Sequence, residues 1–286
     1  MTVAGPAAPV LAAAALPIVA QRRWGGWVVG GIVVAFVAAI VWGSIRSRIL
    51  DLAIIGEYLF HPAIVAGALN ALILGTLALG ISSVIGLISA LMRLSGNPIL
   101  SGLSAVYVYL FRGTPMLIQL VFWFNAVPTM FPTITISLPF LPGPLFETPT
   151  TVVVTPFLAA LAGLSLAEGA YMSEIMRAGI MAIDNGQRSA ATALGMTQRQ
   201  VFTHVVAPQA GRIIVPACGN QYIMLLKSTS LASTIGYPEM LRVVTDIYSS
   251  NFRVVELLTV AAIWYLALTA LATVVQTGLE KRFPPR

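Results

Sequence analysis

The sequence predicts an all-α polytopic membrane protein. Three observations carry that prediction. Of 286 residues, 58% are hydrophobic and only 9% charged, whereas a soluble domain has roughly a quarter charged. Charge-free runs of about the 20 residues that a spanning helix needs recur along the chain. Lys and Arg collect in segments that alternation places on one side of the bilayer. The composition excludes cytosolic, secreted and disordered chains. A lone cysteine, Cys218, permits no internal disulfide, and no Cys/His cluster points to a metal. His61 and His204 lie far apart and read as structural. The formal charge of +6 belongs to loops beside anionic lipid, so lipid rather than nucleic acid is the expected partner.

Residues 1–20 are rich in Ala and Pro. Pro6, Pro9 and Pro17 argue against a helix, so 1–23 is expected to be a disordered tail. Arg22 and Arg23 precede a charge-free run from Trp24 to Ile45. It is too long for the apolar part of a signal peptide, and Trp42 and Arg46 replace any small-residue cleavage site. It therefore reads as an uncleaved span, with an external linker completing 24–62. Further charge-free runs cover Tyr58–Met92, Leu94–Phe111, Gly113–Phe146, Thr148–Ala167, Ile213–Leu226 and Leu257–Leu279. They place helices near 25–45, 63–92, 99–127, 151–178, 208–230 and 254–279. With six alternating spans and a cytoplasmic N-terminus, the inside holds Arg22, Arg23, Arg93, Arg177, Arg188, Arg199, Arg212, Lys281, Arg282 and Arg286. The outside holds Arg46, Arg48, Arg242 and Arg253. That asymmetry puts both termini in the cytoplasm. The segment Pro128–Pro149, rich in Pro, Thr and Phe and without Lys or Arg, fits an external loop.

The polar stretch 179–208 is the informative non-membrane piece. Asp184, Asn185 and Gly186 signal a turn. A helix-prone run from Gln187 to Leu194 ends at Gly195, a C-cap residue. Thr197 can N-cap a second short helix carrying Val201, Phe202 and Val205, with Pro208 as the next boundary. Ala190, Ala191 and Ala193 leave the first helix small-faced, which lets a partner backbone approach. The alternative is a helix hairpin lying on the membrane.

The run GQRSAATALG, Gly186 to Gly195, resembles the EAA loop of binding-protein-dependent ABC importer permeases. PQAGR (208–212) and IVP (214–216) continue it. ALMRLS (90–95), YLFRGTPMLIQL (109–120), AYMSEIMR (170–177) and LLKSTSL (225–231) match in the same order. More narrowly, the chain is similar to the polar amino-acid (histidine/glutamine/arginine) permeases over about residues 63–282. The resemblance implies a type I ABC importer transmembrane subunit in a bacterial plasma membrane. Its five-span core, 63–282, would carry one extra N-terminal span. It implies a coupling helix seated in a groove of a cytoplasmic ATPase, with Gly186, Gln187, Ser189, Ala190, Ala191, Leu194 and Gly195 as coupling residues. It also implies two ATPase subunits that bind ATP and Mg, a second permease subunit, identical or related, and an external binding protein. Ser189 stands where the family usually has the Glu of its motif. A carboxylate there could pair with a base on the ATPase; serine keeps only a hydroxyl.

Ionisable residues inside spans are functional candidates by default. Arg112 sits in FRGTP, where Gly113 and Pro115 break or bend a helix. A broken helix exposes backbone to a cavity, as transporters use for polar substrates, so Arg112, Gly113 and Thr114 are substrate-path candidates. Alternatively residues 99–111 lie along the interface with Arg112 snorkelling; that reading is the favoured one. Glu168, at the end of a charge-free run, could meet a substrate cation or pair internally with a residue such as Lys227. Glu174 and Arg177, three apart, read as a structural pair. Lys227 reads as structural, toward the outer end of its span.

The chain has no Walker A pattern, so ATP hydrolysis is expected on a partner and no cofactor is expected here. An intramembrane enzyme would have only Glu168 and His61 to work with. A channel or secondary carrier would share the spans but has no need of the long loop with its Ala-Ala…Gly helix.

Overall fold

The computed structural model describes residues 24–47, 50–138 and 143–282. The expected tail 1–23, apart from its boundary, and the last residues lie outside the described residues. Residues up to Leu50 form one unit and those from Asp51 onward another. The first contains helix α1, Trp24–Arg46, of 23 residues. At about 1.5 Å per residue it is long enough to cross a bilayer.

The second unit begins with α2, Leu52–Leu59, where the sequence reading had left a linker. Asp51 caps it by accepting from the Ala53 N–H at 3.0 Å. Trp264 fixes it to the last helix by donating to the Leu59 carbonyl at 2.7 Å. His61 then N-caps α3, Pro62–Leu94, accepting from the Ala63 N–H at 3.3 Å, and stacks on Tyr58. Its structural role is thus local.

α3 and α8, Pro156–Met181, make the most extensive helix pair in the fold. Gly67, Ala71 and Gly75, then Ala78, Ser82, Gly86 and Ala90, recur every fourth residue on the buried face of α3. This is the small-residue ladder that lets membrane helices approach closely. A Cβ on Gly86 would stand 2.5 Å from the Met172 Cβ. The Ser89 hydroxyl meets those of Ser104 and Ser173 at 2.9 Å each, where α3, α8 and the helix carrying Ser104 join.

The single helix expected over 99–127 is not formed. α4, Pro98–Gly113, and the segment Met116–Met130 meet at 102°. Thr114, which precedes a proline, is extended with ψ 133, and Pro115 follows with ψ 134. Beyond the break, α5, Met116–Val121, passes through a π-turn at Phe122–Ala126 into α6, Val127–Met130. Pro128 has no N–H to offer the carbonyl four residues back. The helix widens just before it, and Val127 donates to Phe122 instead.

The stretch read as an external loop folds into a hairpin. β1, Thr133–Ile136, pairs antiparallel with β2, Phe146–Pro149, with Thr133 opposite Pro149 and Ile136 opposite Phe146. A single turn, α7, Thr150–Val153, precedes α8, which Thr155 caps.

After α8 come α9, Asn185–Ala193, and α10, Gln198–Gln200. α10 continues through a second π-turn, Val201–Val206, into α11, Ala207–Ser228. Pro208 was expected to end a short helix. The chain runs through it by the device used at Pro128, with Ala207 donating to Phe202. A 3-10 segment, Thr229–Ile235, and α12, Met240–Asn251, lead to α13, Val254–Arg282. α12 packs on α3 so closely that a Cβ on Gly67 would lie 2.9 Å from the Met240 Cα.

Among the described residues, α1, α3 and α13 are long and apolar enough to cross a membrane, and the bent α4 pair makes a fourth if counted as one span. α8 and α11 have 26 and 22 residues. Their Gly, Ser, Gln and charged residues keep them below that apolarity; in α8 the small and polar residues Gly163, Ser165, Glu168, Gly169 and Ser173 are buried against neighbours.

Candidate functional site: the loop after α8 and the cleft at the α4–α5 bend

The loop is built as a rigid corner. Asp184 caps α9 by accepting from the Gly186 N–H at 2.7 Å. Gly195 closes it with φ +82. Its N–H reaches the Thr192 carbonyl at 3.0 Å and the Met196 N–H reaches Ala191 at 3.2 Å. That pair of bonds is the Schellman pattern, and its left-handed residue is naturally glycine. Thr197 and Gln200 then form a capping box that starts α10.

One face of α9 is anchored. Ala191 is 5% exposed and packs with Ile180, Ile183, Val201, Val206 and Ala210. Arg188 on the same side donates to the Ile180 carbonyl. The expectation that Ala191 faces a partner is therefore corrected. It lies three residues after Arg188, hence on the same inward face of a 3.6-residue helix. Gly186, Gln187, Ser189, Ala190 and Leu194 point away, and Leu194 is 84% exposed. Gln187 accepts from Gln209 at 2.6 Å at the edge of a cleft of about 610 Å3 that also includes Asp184 and Arg212.

The second candidate lies where α4 breaks. Arg112, Gly113, Thr114, Gln119, Ala167 and Tyr171 line a cleft of about 260 Å3. Gln119 makes the bend possible. Its amide donates to the Phe111 carbonyl at 2.9 Å and to the Thr114 carbonyl at 3.0 Å, satisfying carbonyls at and beside the break. The Arg112 guanidinium lies over the Tyr171 ring, 5.1 Å from its centroid, and has no hydrogen bond or ion pair among the described residues.

Glu168 is elsewhere. It is 2% exposed on a face of α8 turned to α11, where Gln221 approaches it. Its Oε1 and the Ser165 hydroxyl have no hydrogen-bond partner. Ala167 lines the Arg112 cleft and Glu168 does not, so the structure brings Arg112, Gly113 and Thr114 together and leaves Glu168 apart. The pairing of Glu168 with Lys227 is not formed: Lys227 is exposed, and ion pairs among the described residues are Glu174–Arg177, Arg242–Asp246 and Arg253–Glu256. The Glu174–Arg177 pair, at 2.8 Å, is as the sequence suggested.

Sequence reasoning missed two polar residues. Gln119 is neutral and sits inside an apolar run, so charge counting passes over it. Glu239 is fully buried; it caps α12 by accepting from the Arg242 N–H at 2.9 Å and takes a 2.6 Å bond from the Tyr265 hydroxyl. A carboxylate directly before an amphipathic run was its only signal. No group of three metal-ligating side chains exists among the described residues.

Comparison with known proteins agrees with this architecture. The family model described as "Binding-protein-dependent transport system inner membrane component" matches residues 82–284. The arginine transport system permease protein ArgU of Corynebacterium glutamicum is 39% identical over 263 residues, 92% of this chain and 81% of that protein. The glutamine transport system permease protein GlnP of Escherichia coli is 32% identical over 221 residues, 77% of this chain and 93% of that one. A crystal structure of an amino acid ABC transporter with histidines superposes with a TM-score of 0.68 at 31% identity, covering 82% of this chain and 99% of the other.

Proposed function

The chain belongs to the binding-protein-dependent transport system inner membrane components and is the membrane-spanning translocation subunit of an amino-acid ABC importer; from that premise we propose that it carries a polar amino acid, arginine first among the candidates. ATP hydrolysis in this family takes place on a separate ATPase subunit. Identity to an arginine permease across 92% of the chain supports arginine. So does Glu168, a carboxylate that can oppose a guanidinium when α8 and α11 part. In the substrate path, Arg112, Gly113 and Thr114 form one station and Glu168 another.

The outward face of α9 is the observation that carries the coupling half of the proposal. One side of the helix is welded to α8 and α11 through Ala191. The other presents Gly186, Gln187, Ser189, Ala190 and the bare Leu194, with Gly195 turning the chain away. We propose that this face docks on the ATPase. The full assembly then has two ATPase subunits holding ATP and Mg, a second permease subunit and an external binding protein. All lie in or on a bacterial inner membrane, with both termini of this chain in the cytoplasm and six spans.

The test is reconstitution with the cognate ATPase and binding protein in vesicles. ATP-dependent uptake of labelled arginine, glutamine or cystine is expected, and Leu194→Asp should release the ATPase while the permease stays folded. Uptake that ignores ATP, or unchanged co-purification of Leu194→Asp, overturns the assignment.

A further inference from the structure

The cleft at the α4–α5 bend holds chemistry that the bend itself does not use. Gln119 is 6% exposed. Both protons of its amide are spent on the Phe111 and Thr114 carbonyls. Its oxygen, Oε1, is buried and accepts from nothing. A carbonyl-type oxygen denied a donor in low dielectric is costly, and this one belongs to a residue that lines the cleft. Thr114 is in a related state. Its hydroxyl proton goes to the Leu110 carbonyl at 2.9 Å, so only oxygen lone pairs face outward. The residues lining the cleft therefore include the unfilled acceptor of Gln119, the Thr114 hydroxyl oxygen and the donors of Arg112. Tyr171 holds that guanidinium in place from one side.

A fixed cation next to unfilled acceptors matches a ligand that carries an anion and an ammonium side by side. We propose that this cleft recognises the head group of a free α-amino acid, with Arg112 binding the carboxylate and Gln119 Oε1, helped by Thr114, accepting from the ammonium. This rests on the reading of the chain as an amino-acid importer and adds what that reading lacks. The head group is read here, and the side chain is left for groups elsewhere such as Glu168. Nothing in the cleft discriminates one side chain from another, so the station is common to several amino acids. The volume of about 260 Å3 is below that of a usual ligand pocket, as befits a head group rather than a whole substrate.

The experiment separates the two levels. Wild-type complex is first tested for ATP-dependent uptake of labelled L-arginine, L-glutamine and L-cystine. If none is taken up, the importer reading falls and this inference with it. Binding of the transported amino acid is then measured on the permease–ATPase complex without binding protein. Competitors are its decarboxylated amine and its des-amino acid. Each analogue lacks half the head group and should compete about tenfold or more less well than the parent, the size of a lost charge-assisted hydrogen bond. Arg112→Gln should weaken the parent by a similar factor and leave the amine unaffected. Gln119→Leu should do the reverse, sparing the des-amino acid. Gln119→Leu also removes the bonds that hold the bend, so Arg112→Gln and the wild-type competition carry the test if that variant fails to fold. Equal competition by both analogues, or Arg112→Gln binding like wild type, refutes the inference while uptake keeps the importer reading intact. If Arg112→Gln alters only the dependence on anionic lipid, the cleft is a lipid site and the inference is wrong.

Discussion

Single residues in this chain do sharply defined work, and the small ones do the most. Gly86 and Gly163 are places where a methyl group has nowhere to go: the added carbon would lie 2.5 Å from Met172 Cβ and 2.9 Å from Leu120 Cδ2. Gly86→Val should therefore cost about 1–3 kcal/mol through overpacking. A lower unfolding temperature in detergent is the readout, and an unchanged melting curve would mean α3 and α8 are looser than described. Ala191 obeys the same logic. Ala191→Trp drives an indole into the packing of Ile183, Val201 and Ala210, so the loop itself should become susceptible to protease even with no ATPase present. Glu168→Gln removes a buried carboxyl group and keeps the shape. Arginine uptake should fall at least tenfold while assembly with the ATPase is unchanged; full uptake would make Glu168 a packing residue. These residues differ in how plainly the sequence speaks of them. A glycine in an apolar run announces close approach, and a charge in such a run announces itself. The inward turn of Ala191 depends on the helix phase set by Asp184, and the neutral Gln119 matters only once the bend is known.

At the level of helices and turns, proline marks three irregularities, in two different ways. Pro115 follows an extended Thr114 and breaks the helix. Pro128 and Pro208 are absorbed by a π-turn, and the helix continues. The sequence shows all three prolines alike. What separates them is whether the preceding residue stays helical, and that is settled by packing. Gly113 and the bonds from Gln119 favour rupture at the first, whereas the buried Val201 and Val206 hold the last in line. This is why one expected helix split and an expected boundary vanished. Capping signals were easier to read: Gly195 and Thr197 act where the sequence placed them, whereas Asp184, read only as part of a turn, is the N-cap of α9. Thr197→Ala should cost about 1 kcal/mol, seen as faster amide exchange over 198–203 and not in α8. Ser189→Glu adds a carboxylate to the free face of α9. It should leave the fold intact and tighten ATPase binding if a basic residue faces it; weaker co-purification would place an acidic or apolar group there.

Across the whole molecule, the pattern of apolar runs identified α1, α3 and α13 and the membrane class. It was blind to α2, the hairpin and α12, which are short, polar or both; α2 and α12 pack on the long helices and the hairpin strands pair with each other. Orientation rests on the Lys and Arg balance. Labelling of single cysteines, in a background where Cys218 is replaced, should mark Ile136→Cys in the hairpin from outside intact cells and leave position 2 and position 286 unmarked. Label at either end would invert the topology. The bare Leu194 has a further consequence for the cell. If α9 docks on the ATPase as proposed, a permease inserted before that subunit is made leaves this apolar side chain uncovered, the sort of feature that proteases and chaperones survey in orphan subunits. Its lifetime should then depend on supply of the ATPase: short when that subunit is missing, restored when it is co-expressed, and lengthened in the orphan by Leu194→Ser.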